Sequence, residues 1–197
     1  MDITQTFYNN MATQYDKLFL DWEAATKEQA IILDRLFSES GFNRTARVLD
    51  CACGIGTQAI GLAALGYPVT ASDISDGELA EASARAVKNG VRICFKHADF
   101  CAMSDTFSEQ FDIVIAMDNA LPHMLTGEAL ETAVKSITGR IRPGGIFVAS
   151  IRDYDSLLAE KPPYSPPYIH KTDQGQRVSF QTWIWTDDKA FSGSRGC

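Results

Sequence analysis

The chain has 197 residues, of which 45% are hydrophobic and 22% charged, and its formal net charge is −7. This length and composition are typical of one globular domain with a full core. The acidic balance excludes nucleic acid and anionic membrane surfaces as expected partners, because both require a basic footprint. The sequence has no apolar run of spanning length and no signal-peptide pattern, so we expect a cytoplasmic protein.

Two helices are predicted at the N-terminus, where apolar residues such as Phe7 and Met11 recur at helical spacing. A break near Leu20 separates the first helix from the second. We assign residues 1–40 to a helical cap and residues 41–197 to the main part of a single compact domain. The cap either covers one face of a sheet or forms a lid over a bound ligand.

The first buried strand ends at Asp50, after Val48 and Leu49. The turn that follows is thin enough for its backbone to press against a ligand, since it contains Ala52, Gly54 and Gly56. Thr57 then opens a helix, whose N-terminus carries unpaired N–H groups and a partial positive charge. The sequence therefore predicts a ligand site at the end of this strand.

An isolated acid, Asp73, follows the second predicted strand, Tyr67 to Ser72, and precedes Ile74. In an open α/β sheet, an acid at this place binds the two hydroxyls of an adenosine ribose. The sequence thus predicts a nucleoside-containing cofactor.

Two cofactors fit a glycine-rich turn with a ribose acid. Residues 54–59 satisfy the G-x-G-x-x-A pattern of a dinucleotide enzyme. An S-adenosylmethionine enzyme instead has an acid before the turn, as Asp50 is here. That acid can meet the ammonium of a methionine moiety but would repel a pyrophosphate. Asp50 therefore favours S-adenosylmethionine, with a nicotinamide dehydrogenase as a distant alternative.

The remaining elements continue the alternation of strands and helices. Asp99 and Phe100 follow the third strand and suit an adenine ring, since the carboxylate accepts from the amine and the ring packs on the base. The fourth strand is a continuous hydrophobic run ending at Met117. The predicted elements are a third strand at 92–98, a fourth at 111–117, a helix from Thr126 to Arg140, a tight turn at 141–145 and a fifth strand at 146–151.

In this order the motifs resemble those of the class I S-adenosylmethionine-dependent methyltransferases, over about residues 45 to 151. The resemblance implies an α/β fold, a Rossmann-like doubly wound, mostly parallel sheet with helices on both faces. It also implies a cofactor site in which Tyr15 and Trp22 form a lid over the methionine end. The implied cofactor-binding residues are Tyr15, Trp22, Asp50, Ala52, Gly54, Gly56, Asp73, Ile74, Asp99, Phe100 and Met117.

Within this class, two stretches resemble the glycine/sarcosine N-methyltransferase-like branch. They are residues 15–23 and residues 118–123, the second of which has Asp118 where the branch has Gly and Ala120 where it has Ser. The resemblance implies a small amine such as glycine or sarcosine as acceptor. It implies His123, Asn119 and Tyr15 as catalytic residues, with Asp118 as a further candidate base, and Asn119, His123 and Arg152 as substrate-binding residues.

Other acceptors and an inactive form remain alternatives. An oxygen or carbon acceptor fits the same class, and so does a cofactor-binding domain without activity. The inactive domain is suggested by the C-terminal part, where a sixth strand is predicted at 177–185 and no sequence fits a seventh. We therefore expect a truncated or frame-shifted methyltransferase, in which the unpaired sixth strand is covered by a partner or associates with another copy to give a homo-oligomer.

The five cysteines are scattered and lack zinc spacing, so no metal site is predicted. We expect them to be small buried apolar residues of a cytosolic protein.

Overall fold

The computed structural model of the protein describes residues 3–172, 175–186 and 189–193. By their contacts, the described residues fall into two compact units. The first comprises those of Met1–Asp16 and Asp21–Ile151, and the second those of Lys17–Leu20 and Arg152–Cys197. The predicted division at residue 40 stays a prediction.

The first unit is built on a five-stranded sheet in the order β3-β2-β1-β4-β5, with every neighbouring pair parallel. The order reverses at β1, which pairs with β2 on one side and β4 on the other. Such a reversal opens a crevice at the carboxyl ends of the strands. The strands are β1 (Val48–Asp50), β2 (Val69–Asp73), β3 (Cys94–His97), β4 (Phe111–Ala116) and β5 (Ile141–Ala149).

Helices cover both faces of this sheet, which confirms the predicted fold class. One core cluster joins alternate strand residues such as Val48 and Ile113 to α2, α3 and α4. The second joins the residues between them, such as Leu49 and Val114, to α5 and α6. The helices are α1 (Ile3–Met11), α2 (Trp22–Glu39), α3 (Thr57–Ala64), α4 (Asp76–Lys88), α5 (Met103–Thr106) and α6 (Gly127–Thr138).

The predicted break between the N-terminal helices is present. A 3₁₀ helix, Ala12–Leu18, follows α1, and α2 begins after Asp21. The Asp21 carboxylate caps α2 by accepting from the backbone N–H of Ala24 at 3.0 Å. In the part of the chain that the structure describes, no helix is long and apolar enough to cross a membrane.

The tight turn predicted at 141–145 is wrong, because these residues belong to β5 as a bulge. Phe111 pairs with Ile141, but Ile113 pairs with Ile146, so β5 holds three extra residues there. Gly144 has a φ of +78°, which glycine adopts without a steric penalty. The sequence Pro-Gly-Gly thus makes a local distortion and does not end the strand.

The second unit contains a helix and two antiparallel hairpins, β6 with β7 and β8 with β9. The single sixth strand predicted at 177–185 is therefore wrong. It is interrupted because Gln181 bonds to Ser165: the Ser165 N–H donates to the Gln181 carbonyl at 2.7 Å, and the Gln181 N–H donates to Ser165 Oγ at 2.8 Å. The elements are α7 (Tyr154–Glu160), β6 (Tyr168–Thr172), β7 (Gly175–Ser179), β8 (Thr182–Thr186) and β9 (Lys189–Gly193).

The close approach of α2 and α3 at Gly61 gives a test of this packing. A Cβ on Gly61 would lie 2.5 Å from the Thr26 carbonyl oxygen and 2.7 Å from Ala30 Cβ. We expect Gly61→Ala to lower the free energy of unfolding by about 1–3 kcal/mol through overpacking, measured by urea denaturation. Gly127→Ala is the matched control, since nothing lies within 4 Å of its added Cβ. Equal stabilities of the two variants would contradict the close packing.

Candidate active site

A cavity of about 270 Å³ lies at the carboxyl end of the sheet in the first unit. Its walls come from the loops after β1, β2, β3 and β4 and from the N-terminal segment. This is the crevice that the reversal of strand order creates. The predicted site residues that line it are Tyr15, Ala52, Gly54, Asp73, Ile74, Asp99, Phe100, Met117 and His123.

The Asp73 carboxylate is fixed by two backbone donors. Its Oδ2 accepts from the Gly54 N–H and its Oδ1 from the Ser75 N–H, both at 2.9 Å. Burial raises the pKa of Asp73, while these N–H groups oppose the increase. The carboxylate therefore faces the cavity in a fixed orientation as an acceptor for hydroxyl groups.

The turn after β1 has the thin backbone that its sequence predicts. Gly54 and Gly56 have φ values of +51° and +89°, where a side chain would be strained. A Cβ on Gly56 would also lie 2.9 Å from Ile60 Cδ1. Gly56 therefore shapes the turn without lining the cavity, whereas Gly54 and Ala52 lie on its wall.

Asp50 is fully buried at the end of β1 and does not line the cavity. One oxygen accepts weakly from the Ala52 N–H at 3.4 Å, and among the described residues the other oxygen has no hydrogen-bond partner. Burial, with a smaller effect from the Asp73 and Asp118 charges, raises the pKa of Asp50 to about 8. A cationic ligand nearby would favour its charged form.

The sequence analysis missed Glu78, a buried residue in the first turn of α4 whose side chain lines the cavity. The pattern Ser75-x-x-Glu78 is that of a capping box, in which the glutamate would accept from the Ser75 N–H. Only half of the box forms. The Glu78 N–H donates to Ser75 Oγ at 3.1 Å, but the Ser75 N–H donates to Asp73 Oδ1 and not to Glu78. Glu78 thus lacks the bond that a capping box would give its carboxyl group, and the residue lines the cavity.

The loop after β3 forms another wall. Asp99 is exposed and accepts from the Cys101 N–H at 2.8 Å through Oδ1. Phe100, in the same loop, and Ile74, after β2, add apolar surface to the cavity lining. Met117, after β4, does the same. A carboxylate beside apolar side chains suits a flat base with an exocyclic amine.

The N-terminal segment contributes Tyr8 and Tyr15 to the lining, next to His123. Tyr8 Oη lies 2.8 Å from His123 Nε2, and the two rings meet edge to face with centroids 5.5 Å apart. Tyr8 was also missed, although it neighbours Phe7 on the predicted helix. The pair joins α1 to the short 3₁₀ helix Leu121–His123.

Asp118 and Asn119 form the turn after β4 in left-handed backbone conformations, with φ of 52° and 72°. Aspartate and asparagine tolerate this region better than other non-glycine residues. Asp118 lines the cavity and accepts from Gln58 Nε2 at 2.8 Å. The turn holds Asn119 beside the cavity but outside its lining.

Two other predicted site residues also lie outside the cavity lining. Trp22 is buried, with Nε1 donating to Thr57 Oγ1 at 2.9 Å and the Arg85 guanidinium 4.5 Å from its ring centroid. It packs α2 against α3 and α4, which places it in the core of the unit. Arg152 belongs to the second unit, where its guanidinium lies 5.2 Å from the Trp183 ring centroid.

The charge of the cavity is negative. Four carboxylic residues line it, and its described lining includes no lysine or arginine. Such walls favour a cationic ligand and disfavour a pyrophosphate. The carboxylic residues are Asp73, Glu78, Asp99 and Asp118.

The cysteines are in part where the sequence predicts them. Cys51 and Cys53 are buried, and burial raises the pKa of each thiol. Cys94 is exposed, contrary to prediction, because β3 is an edge strand. Cys197 lies outside the described residues. No described group of three or more His, Cys, Asp or Glu residues could hold a metal ion.

The fold is that of an α/β protein, and the acidic lining of its cavity suits a nucleoside-containing, cationic ligand. Residues 48–145 match a family model described as a methyltransferase domain. The chain belongs to the class I S-adenosylmethionine-dependent methyltransferases, which confirms the predicted family and its cofactor, S-adenosylmethionine.

Individual relatives agree with this family. A glycine/sarcosine N-methyltransferase of Parasynechococcus marenigrum is 27% identical over 154 residues, which are 78% of this chain and 53% of that protein. A ubiquinone biosynthesis O-methyltransferase of Dinoroseobacter shibae is 36% identical over 104 residues, 53% of this chain and 40% of that protein. The chain thus spans about half the length of the relatives it matches.

Among solved structures, Streptomyces venezuelae DesVI superposes with a TM-score of 0.74 at 20% identity. The match covers 89% of this chain and 71% of that one. At this identity the likeness concerns the fold alone.

The buried Asp50 makes a prediction about stability and pH. Its folded-state pKa of about 8 lies above the ordinary value, so its contribution to stability is present at low pH and is lost as pH rises toward and through 8. We expect Asp50→Asn to raise the ligand-free Tm by several degrees at pH 8.5 and by less at pH 5. Differential scanning calorimetry checks this, with exposed Asp105→Asn as the control. A gain that shrinks with pH would contradict the assignment.

Proposed function

We propose that the protein binds S-adenosylmethionine in this cavity and transfers its methyl group to a small molecule, with an amine such as glycine or sarcosine as the first candidate. The single observation that carries the proposal is the Asp73 carboxylate, fixed by the Gly54 and Ser75 N–H groups at the cavity wall. Held in this way, it accepts from two ribose hydroxyls without rearrangement.

The other walls fit the remaining parts of this cofactor. Asp99 and Phe100 suit the adenine, and the acidic lining suits a ligand with a sulfonium and an ammonium group. Asp50 lies next to Cys51 and Ala52 of the lining, and its unpartnered oxygen supports a role toward the ammonium. Tyr15 supports a lid role for the N-terminal segment, because aromatic faces attract cations.

Catalysis would depend mainly on positioning. When bound, S-adenosylmethionine supplies an electrophilic methyl group on a cationic sulfur. An amine acceptor attacks with a free lone pair, so its proton must first be removed. His123 is the proposed base and Tyr8, 2.8 Å from its Nε2, orients the ring. Asn119, Tyr15 and Arg152 are retained as acceptor-binding proposals, with Asp118 as a further candidate base.

An oxygen acceptor is the second candidate, since one relative is a ubiquinone biosynthesis O-methyltransferase. A cofactor-binding domain without activity is the third. We further propose a cytoplasmic location, supported by the free cysteines among the described residues, and no nucleic-acid partner, supported by the acidic net charge of −7. A homo-oligomer stays an expectation, but the unpaired sixth strand predicted as its cause is wrong, since β7 pairs with β6 and β8 pairs with β9.

The cofactor assignment is tested by isothermal titration calorimetry with S-adenosylhomocysteine. We expect the wild type to bind it and not NAD, and Asp73→Ala to bind at least about tenfold more weakly because the ribose loses a charged acceptor. Asp105→Ala, which removes an exposed carboxylate outside the lining, should bind like the wild type. Tight binding by Asp73→Ala would refute the ribose assignment.

The acceptor side is tested by a screen of small amines and phenols, followed by His123→Ala on the best acceptor. We expect kcat/KM to fall by about 10²–10⁴-fold, as for loss of a general base. The Kd for S-adenosylhomocysteine should change by less than about threefold, since His123 is assigned to the acceptor. Unchanged turnover would remove His123 from catalysis, and binding without turnover of any acceptor would favour the inactive domain.

A further inference from the structure

Glu78 is a buried carboxyl group that the proposed chemistry does not use. It is 2% exposed, and its Oε1 has no hydrogen-bond partner among the described residues. Its side chain lines the cavity, and Oε2 lies 3.3 Å from the position of a Cβ on Gly54. A buried polar atom without a partner destabilises the protein. A residue of the cavity lining that carries such an atom points to a contact with the ligand.

Asp73 and Glu78 stand in contrasting environments. Asp73 receives two backbone N–H donors, which stabilise its charged form. Glu78 receives none of these donors and lies close enough to Asp73 to be affected by its charge. Burial, together with the Asp73 charge, raises the pKa of Glu78 to about 8. Near neutral pH, one wall of the cavity therefore holds an acceptor, Asp73, beside a carboxylic O–H donor.

Among the residues that the structure describes, the groups packed around Glu78 do not supply a compensating cation. The Asp73 carboxylate, at the end of β2, acts on Glu78 by its charge, and Cys53, in the turn after β1, is a thiol whose pKa burial raises. On α4 itself, Asp76 pairs with His97 of β3 at 2.7 Å, so this imidazole is turned to Asp76. Arg85 pairs with Glu81 and Asp16, and α1 contributes the neutral Asn9, which bonds to Ser75 and Gly77.

We infer that Glu78 is a further cofactor-binding residue, which in its protonated form donates a hydrogen bond to the nucleoside end of the ligand. This inference rests on the proposed function. A ribose offers oxygen lone pairs as well as hydroxyl protons, and an adenine offers ring nitrogens, so a neutral acid beside an ionised one complements both polarities. Ionisation of Glu78 removes the donor and places a second negative charge on the same wall.

Binding of 5′-methylthioadenosine, measured by calorimetry from pH 6.5 to 9.5, tests the inference. This probe keeps the nucleoside but lacks the amino-acid part, so its own ammonium does not contribute to the pH dependence. We expect the wild-type Kd to rise at least about tenfold between pH 7 and 9.5 as Glu78 ionises. Glu78→Gln keeps a donor and cannot ionise, so its Kd should stay within about threefold of the wild type at pH 7 and lose this pH dependence.

Two further variants complete the test. Glu78→Leu removes the donor and should weaken binding about fivefold or more at pH 7, whereas exposed Glu128→Gln, in the first turn of α6, should keep the wild-type profile. If the Kd of Glu78→Gln rises with pH as that of the wild type does, the inference is overturned while the cofactor assignment stays intact. Absence of binding of both the probe and S-adenosylhomocysteine to the folded wild type at any pH would overturn the proposed function and the inference with it.

Discussion

The hydrogen bonds between the Asp73 carboxylate and the N–H groups of Gly54 and Ser75 join three parts of the site. Gly54 belongs to the turn after β1, Asp73 ends β2, and Ser75 caps α4. One side chain thereby fixes the spacing of two neighbouring loops and the start of a helix. Because it occupies the Ser75 N–H, it also leaves Glu78 without its usual partner, so the charge pattern of the wall follows from this one carboxylate.

Much of the fold could be predicted because its signals are local. Strand β1, the glycine turn and α3 lie within residues 48–64, and Thr126 caps α6 through its side chain as expected. The errors fall where pairing between distant residues overrides local preference. The Pro-Gly-Gly sequence stays in β5 because β4 continues to pair with it, and the 177–185 run is interrupted by Ser165, twelve or more residues earlier in the chain.

The candidate site was predictable to the same extent. Residues that follow a strand, such as Asp73 and Asp99, could be placed because parallel strands end at one edge of a sheet. Glu78 and Tyr8 could not, since each lies on a helix and its direction depends on a competing hydrogen bond or on the docking of α1. Trp22 differs in the opposite direction, since this aromatic residue of the N-terminal segment is buried in the core, where Thr57 and Arg85 contact its indole.

The bulge in β5 has a consequence for self-association. In the five-stranded sheet β5 is an outer strand. A regular outer strand has a row of unpaired backbone N–H and C=O groups, with which a strand of another chain can pair to start aggregation. The three extra residues interrupt the regular row of backbone groups in the first half of β5, and Pro143 has no N–H to offer there. A Cβ on Gly145 would lie 2.6 Å from the Asp112 carbonyl oxygen, so only glycine keeps the distortion in place. The glycine-rich segment that was wrongly predicted to be a tight turn thus makes this half of β5 a poor template for polymerisation.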